Sequence, residues 1–299
     1  MLNKEKPVKV VVDKEKCTKC GICIETCDNY LKSGEEGFPV EKDINDSLFG
    51  CIQCGNCMMK CPTEAIEIIG EDIDKNHIRP MPQKTSDYDA LNGLFLKRRS
   101  IRKYKNEDVS KDDIDKIIAS ASTSAVSIPP SEVKVLVFHG RKKVQELAKD
   151  LLEEIKHAQK ILTPFALSLI KTFMGEAKYK VMKDFVVPLC QETAKSLEKG
   201  EDVLFYEAPC VMVFYGSELI DAEDMIIAAT NATMAAESLG LGTCFIGTAG
   251  HFLNTSSKLR KKYGILKGEK VGTTFIVGVP DEKYLRTFQR NFKEVRIIN

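Results

Sequence analysis

The stretch CTKCGICIETC, residues 17–27, returns 34 positions later as CIQCGNCMMKC, residues 51–61. Both read C-x2-C-x2-C-x3-C, so Cys17, Cys20, Cys23 and Cys27 map onto Cys51, Cys54, Cys57 and Cys61, and Gly21 maps onto Gly55. A duplication at one fixed displacement is a single structural unit used twice. Eight of the 11 cysteines lie in it, and their spacing sets their chemistry. Thiolates at every third position can surround a polynuclear cluster, whereas structural zinc prefers cysteine pairs separated by a longer stretch. Zinc and disulfides are therefore the weaker alternatives.

This spacing resembles that of bacterial ferredoxins carrying two 4Fe-4S clusters. In such ferredoxins the last cysteine of each run crosses to the other cluster. The resemblance implies one cluster on Cys17, Cys20, Cys23 and Cys61, and another on Cys51, Cys54, Cys57 and Cys27. Pro62 follows the second run as the motif expects; Asp28 follows the first, a departure that leaves the ligands untouched. Short β-type runs at residues 8–12 and 65–69 flank the cysteines as the outer strands of a small ferredoxin fold. Residues 1–85 are read as this domain, ending in polar text with Pro80 and Pro82 that reads as a linker or a draped segment.

A chain of 299 residues with 43% hydrophobic content has room for a second, larger core over residues 86–299. The formal charge of +1 gives no reason to expect nucleic acid or an anionic membrane as partner. A charged N-terminal segment without an apolar run, together with cluster-type thiols, predicts a cytoplasmic protein. The longest apolar stretch, residues 161–175, is too short to span a bilayer and contains Lys171, so it is expected as a buried or interface helix. Cys190, Cys210 and Cys244 lack ligand spacing and are expected as small buried hydrophobes. His77, His139, His157 and His251 form no catalytic triad; only His251 lies close to a glycine-rich segment discussed below.

The second domain alternates helical and strand patterns. Ser110 with Asp113 starts a helix capping-box fashion, followed by Ile114, Ile117, Ile118 and Ala121 on one face. Runs at residues 133–138, 211–215, 243–246 and 273–279 predict strands, and residues 142–199 contain none. Residues 228–239, alanine-rich and stopped by Gly240, predict a central buried helix. Helices on a sheet of mixed direction give an α+β expectation.

Three segments carry chemistry. RRSIRKY, residues 98–104, places Arg98, Arg99 and Arg102 around Ser100, a set able to grip a phosphate or steady negative charge on a ring. Residues 122–130 are small and hydroxyl-rich, with Ser124 and Ser127. GLGTCFIGTAG, residues 240–250, lets backbone approach a flat ligand. It is not G-x-G-x-x-G and follows a helix rather than a strand, and Gly-Lys-Ser/Thr never occurs, which excludes Rossmann and P-loop nucleotide sites.

In this order the three segments resemble the nitroreductase family of FMN flavoproteins, over roughly residues 88–299. The family's R-x-S-x-[RK] motif is matched by Arg98, Ser100 and Arg102, which implies contacts to the FMN phosphate, the ribityl chain and the flavin N1/O2 edge. The hydroxyl-rich segment is similar to the family's P-S-x-x-N-x-Q-P-W, keeping Ser124 but with Thr123, Ser127, Pro129 and Ser131 at the proline, asparagine, glutamine and tryptophan positions. The helix ending at Gly240 is the closest match, and Ile246, Gly247 and Thr248 would supply backbone amides near flavin N5. After Gly278 and Pro280, either Arg286 or Arg290 would return to the phosphate.

The resemblance implies a three-layer α/β/α domain with a mixed, mainly antiparallel sheet, in a homodimer with FMN at the interface and the hydroxyl-rich segment reaching the partner's flavin. Joined to the cluster domain, it implies an oxidoreductase with two 4Fe-4S clusters and FMN. Its donor would be external ferredoxin or NAD(P)H, and its acceptor a small nitroaromatic, quinone, enone or flavin. The alternative is a non-enzymatic electron carrier or redox-sensing module with a decayed flavin site.

Overall fold

The computed structural model describes residues 8–47, 50–70, 73, 75–127, 131–218 and 222–298; Ile128, Pro129, Pro130 and the side chain of His77 lie outside them. The chain divides into two compact units, residues 1–85 with 126–132, and residues 86–125 with 133–299.

The first unit contains β1 (Lys9–Val12), α1 (Ile22–Thr26), β2 (Leu31–Ser33), β3 (Pro39–Glu41), α2 (Asn56–Met59) and β4 (Ile66–Ile69). β1 and β4 pair antiparallel with Lys9 opposite Ile69, which brings the ends of the duplicated region together. Little apolar surface is available, and the core is Tyr30, Leu31, Met58, Ile66 and Ile68 packed with Cys23 and Cys57. The duplication extends to the backbone. Lys19 and Gln53, 34 positions apart, hold φ of 57° and 56°, and Gly21 and Gly55 hold 78° and 72° before α1 and α2. Left-handed backbone is rare outside glycine, so its recurrence at matched positions marks a loop shaped around the thiols.

The second unit runs α3 (Tyr88–Lys97), α4 (Lys111–Ala121), β5 (Val133–His139), α5 (Arg141–Ile161), α6 (Pro164–Met174), α7 (Glu176–Val181), a π turn (Met182–Val186), α8 (Val187–Glu198), β6 (Cys210–Ser217), α9 (Ala222–Ser238), β7 (Gly242–Phe245), α10 (Gly247–Thr255), α11 (Ser257–Lys262) and β8 (Glu269–Gly278). The strands form an antiparallel sheet in the order β5-β6-β8-β7. Successive strand residues face opposite sides. Val211, Val213 and Ile276 pack with Leu147, Leu151 and Ile155 of α5 and with α10, while Met212, Phe214, Phe275 and Val277 pack with Ile114 and Ile117 of α4 and Met225, Ala228 and Ala232 of α9. Three α/β/α layers result. β6 is buried on both faces, which explains its uninterrupted apolar text.

Local signals account for the helix ends. Ser110 Oγ accepts from the Asp113 N–H at 3.0 Å and donates to its carboxylate at 2.7 Å, a side-chain variant of the capping box. Asp87 caps α3 by accepting from the Ala90 N–H at 2.8 Å. Pro188 has no N–H to return to the preceding turn, and the π turn sits immediately before it. Gly240, at φ 80°, ends the α9 region. Of the two expectations for residues 161–175, α6 is not a buried helix, with Phe165 and Phe173 strongly exposed, which leaves the interface alternative. Its apolar text reflects an unpartnered surface, not a core. No described helix is long and apolar enough to cross a membrane.

Candidate functional site

The duplicated loops of the first unit turn their thiols inward. Cys17, Cys20, Cys23 and Cys61 line one cavity with Gly21, Gly37 and Pro39. Burial pushes the Cys57 thiol up to about 12, with Cys27, Cys51 and Cys54 adding to it; burial likewise raises Cys23, with Cys61 and Cys17 adding to it. The thiols that sense one another thus fall into two sets, and each set takes one cysteine from the opposite run. Among the described residues no three or more His, Cys, Asp or Glu groups are spaced for a single metal ion. Cys17, Cys20, Cys23 and Cys61 line a shared cavity instead, which suits a polynuclear cluster better than zinc with its ~2.3 Å bonds to sulfur.

Compensation for buried thiolate charge is partly in place. The Gln53 N–H donates to Cys51 Sγ at 3.4 Å and the Ala65 N–H to Cys61 Sγ at 3.2 Å. At Cys61 burial acts upward, but donation from Ala65 and Thr63 wins and the thiol is lowered. Cys23, Cys27, Cys51 and Cys57, all raised by burial, need a cationic centre to ionise together, which iron would supply. Cys190, Cys210 and Cys244 are buried without ligand partners, and burial pushes Cys210 up to about 12. They are packing residues.

In the second unit two of the three sequence segments, the arginine motif and the glycine-rich segment, meet at one edge of the sheet together with the closing segment after Gly278, whereas the hydroxyl-rich segment is not among them. After α3 the chain runs extended: Ser100 bridges Thr243 in parallel, and the Ile101 N–H donates to Thr243 O at 3.0 Å. That contact makes the sheet mixed. Beyond it Tyr104 bridges Pro280, the Lys105 N–H donates to Val279 O at 2.9 Å, and the Asp281 N–H donates to Lys103 O at 2.9 Å. The arginine motif is therefore zipped to both the glycine loop and the closing segment.

Glycine is required by close approach. A Cβ on Gly242 would lie 2.6 Å from Ile101 Cγ1, and one on Gly278 would lie 2.6 Å from Pro209 Cδ and 2.7 Å from Tyr104. Ile101 is buried and cannot swing away. Gly242→Ala is expected to destabilise the domain by about 1–3 kcal/mol through overpacking, read as a lower midpoint in denaturant unfolding. An unchanged midpoint would show that the edge is loosely packed.

A cavity opens along this edge, lined by Lys97, Arg99, Glu237, Gly240, Gly242, Lys283 and Arg286 among others. Lys97 Nζ pairs with the buried Glu237 carboxylate at 3.3 Å. Arg99 Nη1 donates to Arg98 O at 2.8 Å and the guanidinium lies 5.9 Å from the Phe288 ring centre, while Arg99 Nη2 is buried with no hydrogen-bond partner. A cationic donor buried without an acceptor is costly, and an anionic ligand in the cavity would relieve it. The site fits a phosphate-bearing cofactor on that ground.

The remaining predicted residues are placed as follows. The Arg102 N–H donates to Glu282 Oε1 at 3.0 Å, and its exposed guanidinium lies 5.8 Å from the Tyr206 ring centre. Arg286 lines the cavity, whereas the Arg290 guanidinium lies 4.9 Å over the Phe288 ring. The Ile246 N–H is engaged by Thr274 O at 2.8 Å, while Gly247 and Thr248 open α10, where first-turn amides have no helical acceptor. Ser124 follows α4, half-buried, and Ser127 lies in the segment grouped with residues 1–85. The Ser122 and Thr123 hydroxyls turn back to carbonyls of α4 at 2.8 Å. His139 Nε2 lies 2.9 Å from Val109 O, a structural role, and His251 is exposed on α10 against Phe252. Sequence reading missed Lys97 and Glu237; a lone carboxylate in the alanine-rich face of α9 was the available signal. Tyr206 was also missed.

A family model described as the nitroreductase family matches residues 96–279, and one for a 4Fe-4S dicluster domain matches residues 16–66. Among solved structures, a nitroreductase with bound FMN from Bacteroides fragilis is 17% identical, with 70% of this chain and 98% of that one covered and a TM-score of 0.53. Another, from Desulfitobacterium hafniense, is 17% identical over 70% of this chain and 98% of that one, with a TM-score of 0.51. No curated protein matches the chain. At these identities the structures speak to fold, while the family model spans more than half the sequence, including the arginine motif and the glycine loop. The chain belongs to the nitroreductase family and carries a 4Fe-4S dicluster domain ahead of its family domain.

Proposed function

We propose that this protein is an oxidoreductase that relays low-potential electrons through two 4Fe-4S clusters, held in residues 1–85, to FMN held in residues 86–299, and reduces a small electrophilic molecule. The observation that carries the reading is the buried, unpartnered Arg99 nitrogen in a cationic cavity beside the arginine motif, in a chain whose other half carries the paired cysteine loops. FMN, when bound, supplies the conversion between one-electron input and two-electron delivery. The protein's residues do the rest by charge and position. Arg98, Arg99 and Ser100 hold the phosphate, joined by Arg286 or Arg290. Arg102 steadies negative charge at the N1/O2 edge, and the amides of Gly247 and Thr248 face N5. Two copies form a homodimer in which Ser124 and Ser127 reach the partner's flavin. Of the two donors, external ferredoxin and NAD(P)H, reduced ferredoxin is the better one, since NAD(P)H alone would leave the clusters without a task. The acceptor is a nitroaromatic, quinone, enone or flavin, and the setting is the cytoplasm.

The second reading is an electron carrier without enzymatic turnover, favoured by Ser127 at the family's asparagine position and by the Ser122 and Thr123 hydroxyls facing their own helix. Anaerobic purification, iron assay and identification of extracted flavin separate the two. Bound or readily taken-up FMN is expected. A preparation with full iron that takes up no flavin would overturn the enzyme reading.

A further inference from the structure

The segment between α8 and β6 holds two consecutive non-glycine residues in left-handed backbone, Tyr206 and Glu207, both at φ 55°. Such conformations cost about 1–3 kcal/mol each and persist only where the surroundings over-determine them. Here they are over-determined. The Asp202 carboxylate accepts from the N–H groups of Leu204 at 3.1 Å, Phe205 at 2.8 Å and Glu207 at 3.1 Å, and the Tyr206 N–H donates to Asp202 O at 3.0 Å. Leu204, Phe205 and Ala208 are buried on either side. The bend has one evident product: the Tyr206 ring, half-buried against the core, lies 5.8 Å from the Arg102 guanidinium carbon. Arg102 is otherwise weakly held, by its backbone N–H to Glu282 and a long 3.4 Å contact from Nη1 to Ser100 O.

The geometry points to Tyr206 as a positioning residue: its ring face holds the Arg102 guanidinium where that charge meets the reduced flavin. This rests on the reading of Arg102 as the group at the flavin's N1/O2 edge. Tyr206 needs no contact with the flavin and no proton transfer. It works by restricting an exposed arginine through a cation–π contact, and a ring without the hydroxyl suffices. The strained backbone is retained because an unstrained residue there would aim the ring elsewhere.

The test uses the purified, cluster-loaded protein and FMN as probe, with FMN affinity and the reduction potential of bound FMN as readouts. Tyr206→Phe keeps the ring and is expected to match wild type. Tyr206→Asn, chosen because asparagine tolerates φ near 55°, keeps the bend, and is expected to lower the potential and weaken FMN binding about threefold. Arg102→Gln is expected to move both readouts further in the same direction. An Arg102→Gln effect with none from a folded Tyr206→Asn overturns the role of Tyr206 alone. Loss in Tyr206→Phe as well overturns the ring-face explanation. No effect from Arg102→Gln overturns the placement of Arg102, and with it this inference.

Discussion

Cys54→Ala is expected to reduce ferredoxin-driven reduction of the flavin to background, with the iron content falling from about eight to about four atoms per chain. Cys54 sits in the thiol set with Cys51, Cys57 and the crossing Cys27, where burial raises Cys57 and its three neighbours add to the rise. With one thiolate missing that set cannot close around a cubane, while Cys17, Cys20, Cys23 and Cys61 still line their own cavity. On the proposed relay, the surviving cluster would then lack its neighbour. Any NAD(P)H route to the flavin does not pass through the cysteines and is spared. Rapid-mixing absorbance with each donor, alongside iron analysis, makes the comparison. Equal loss of both routes in a folded protein would argue against separate entry points.

Arg99→Met is expected to move stability and cofactor affinity in opposite directions. Methionine keeps an unbranched stem in the half-buried slot but removes the buried nitrogen that has no acceptor. In the flavin-free protein the relief is about 1–2 kcal/mol of added stability, seen as a higher unfolding midpoint. A hydrogen bond to a charged group contributes roughly 1.5–3 kcal/mol, so FMN affinity falls about 10- to 100-fold. Residues that serve the fold do not behave this way. If both quantities fall together, Arg99 is a structural residue and the cavity holds no phosphate. Salt should widen the affinity gap little, because the contact is largely shielded from solvent.

Much of this was legible in one dimension. Cysteine spacing is local, and the backbone that presents the thiols repeats with it, down to the left-handed turns at Lys19 and Gln53. The strands of the large sheet could be read because β6 is buried on both faces and its text is almost continuously apolar, and the second half of β8, residues 275–277, is apolar and buried as well. Helix α4 could be read because Ser110 and Asp113 announce it. At α6 the sequence left two readings, buried or interface, for the same reason: apolar text reports that a surface avoids water, and does not say what covers it.

What could not be read depends on approach between distant segments. The sequence determined which atoms are available: two sets of four thiols, clustered guanidinium groups and a glycine-rich turn. Their types and spacings follow from bonding geometry that acts within a few residues. Tertiary structure alone decided that Ser100 lies against Thr243, that Gly242 must stay bare beside Ile101, that Arg286 rather than Arg290 lines the cavity, and that Tyr206 is bent toward Arg102. Each of these is settled by steric closeness and by the burial of charge, quantities that exist only once the sheet has brought the segments together.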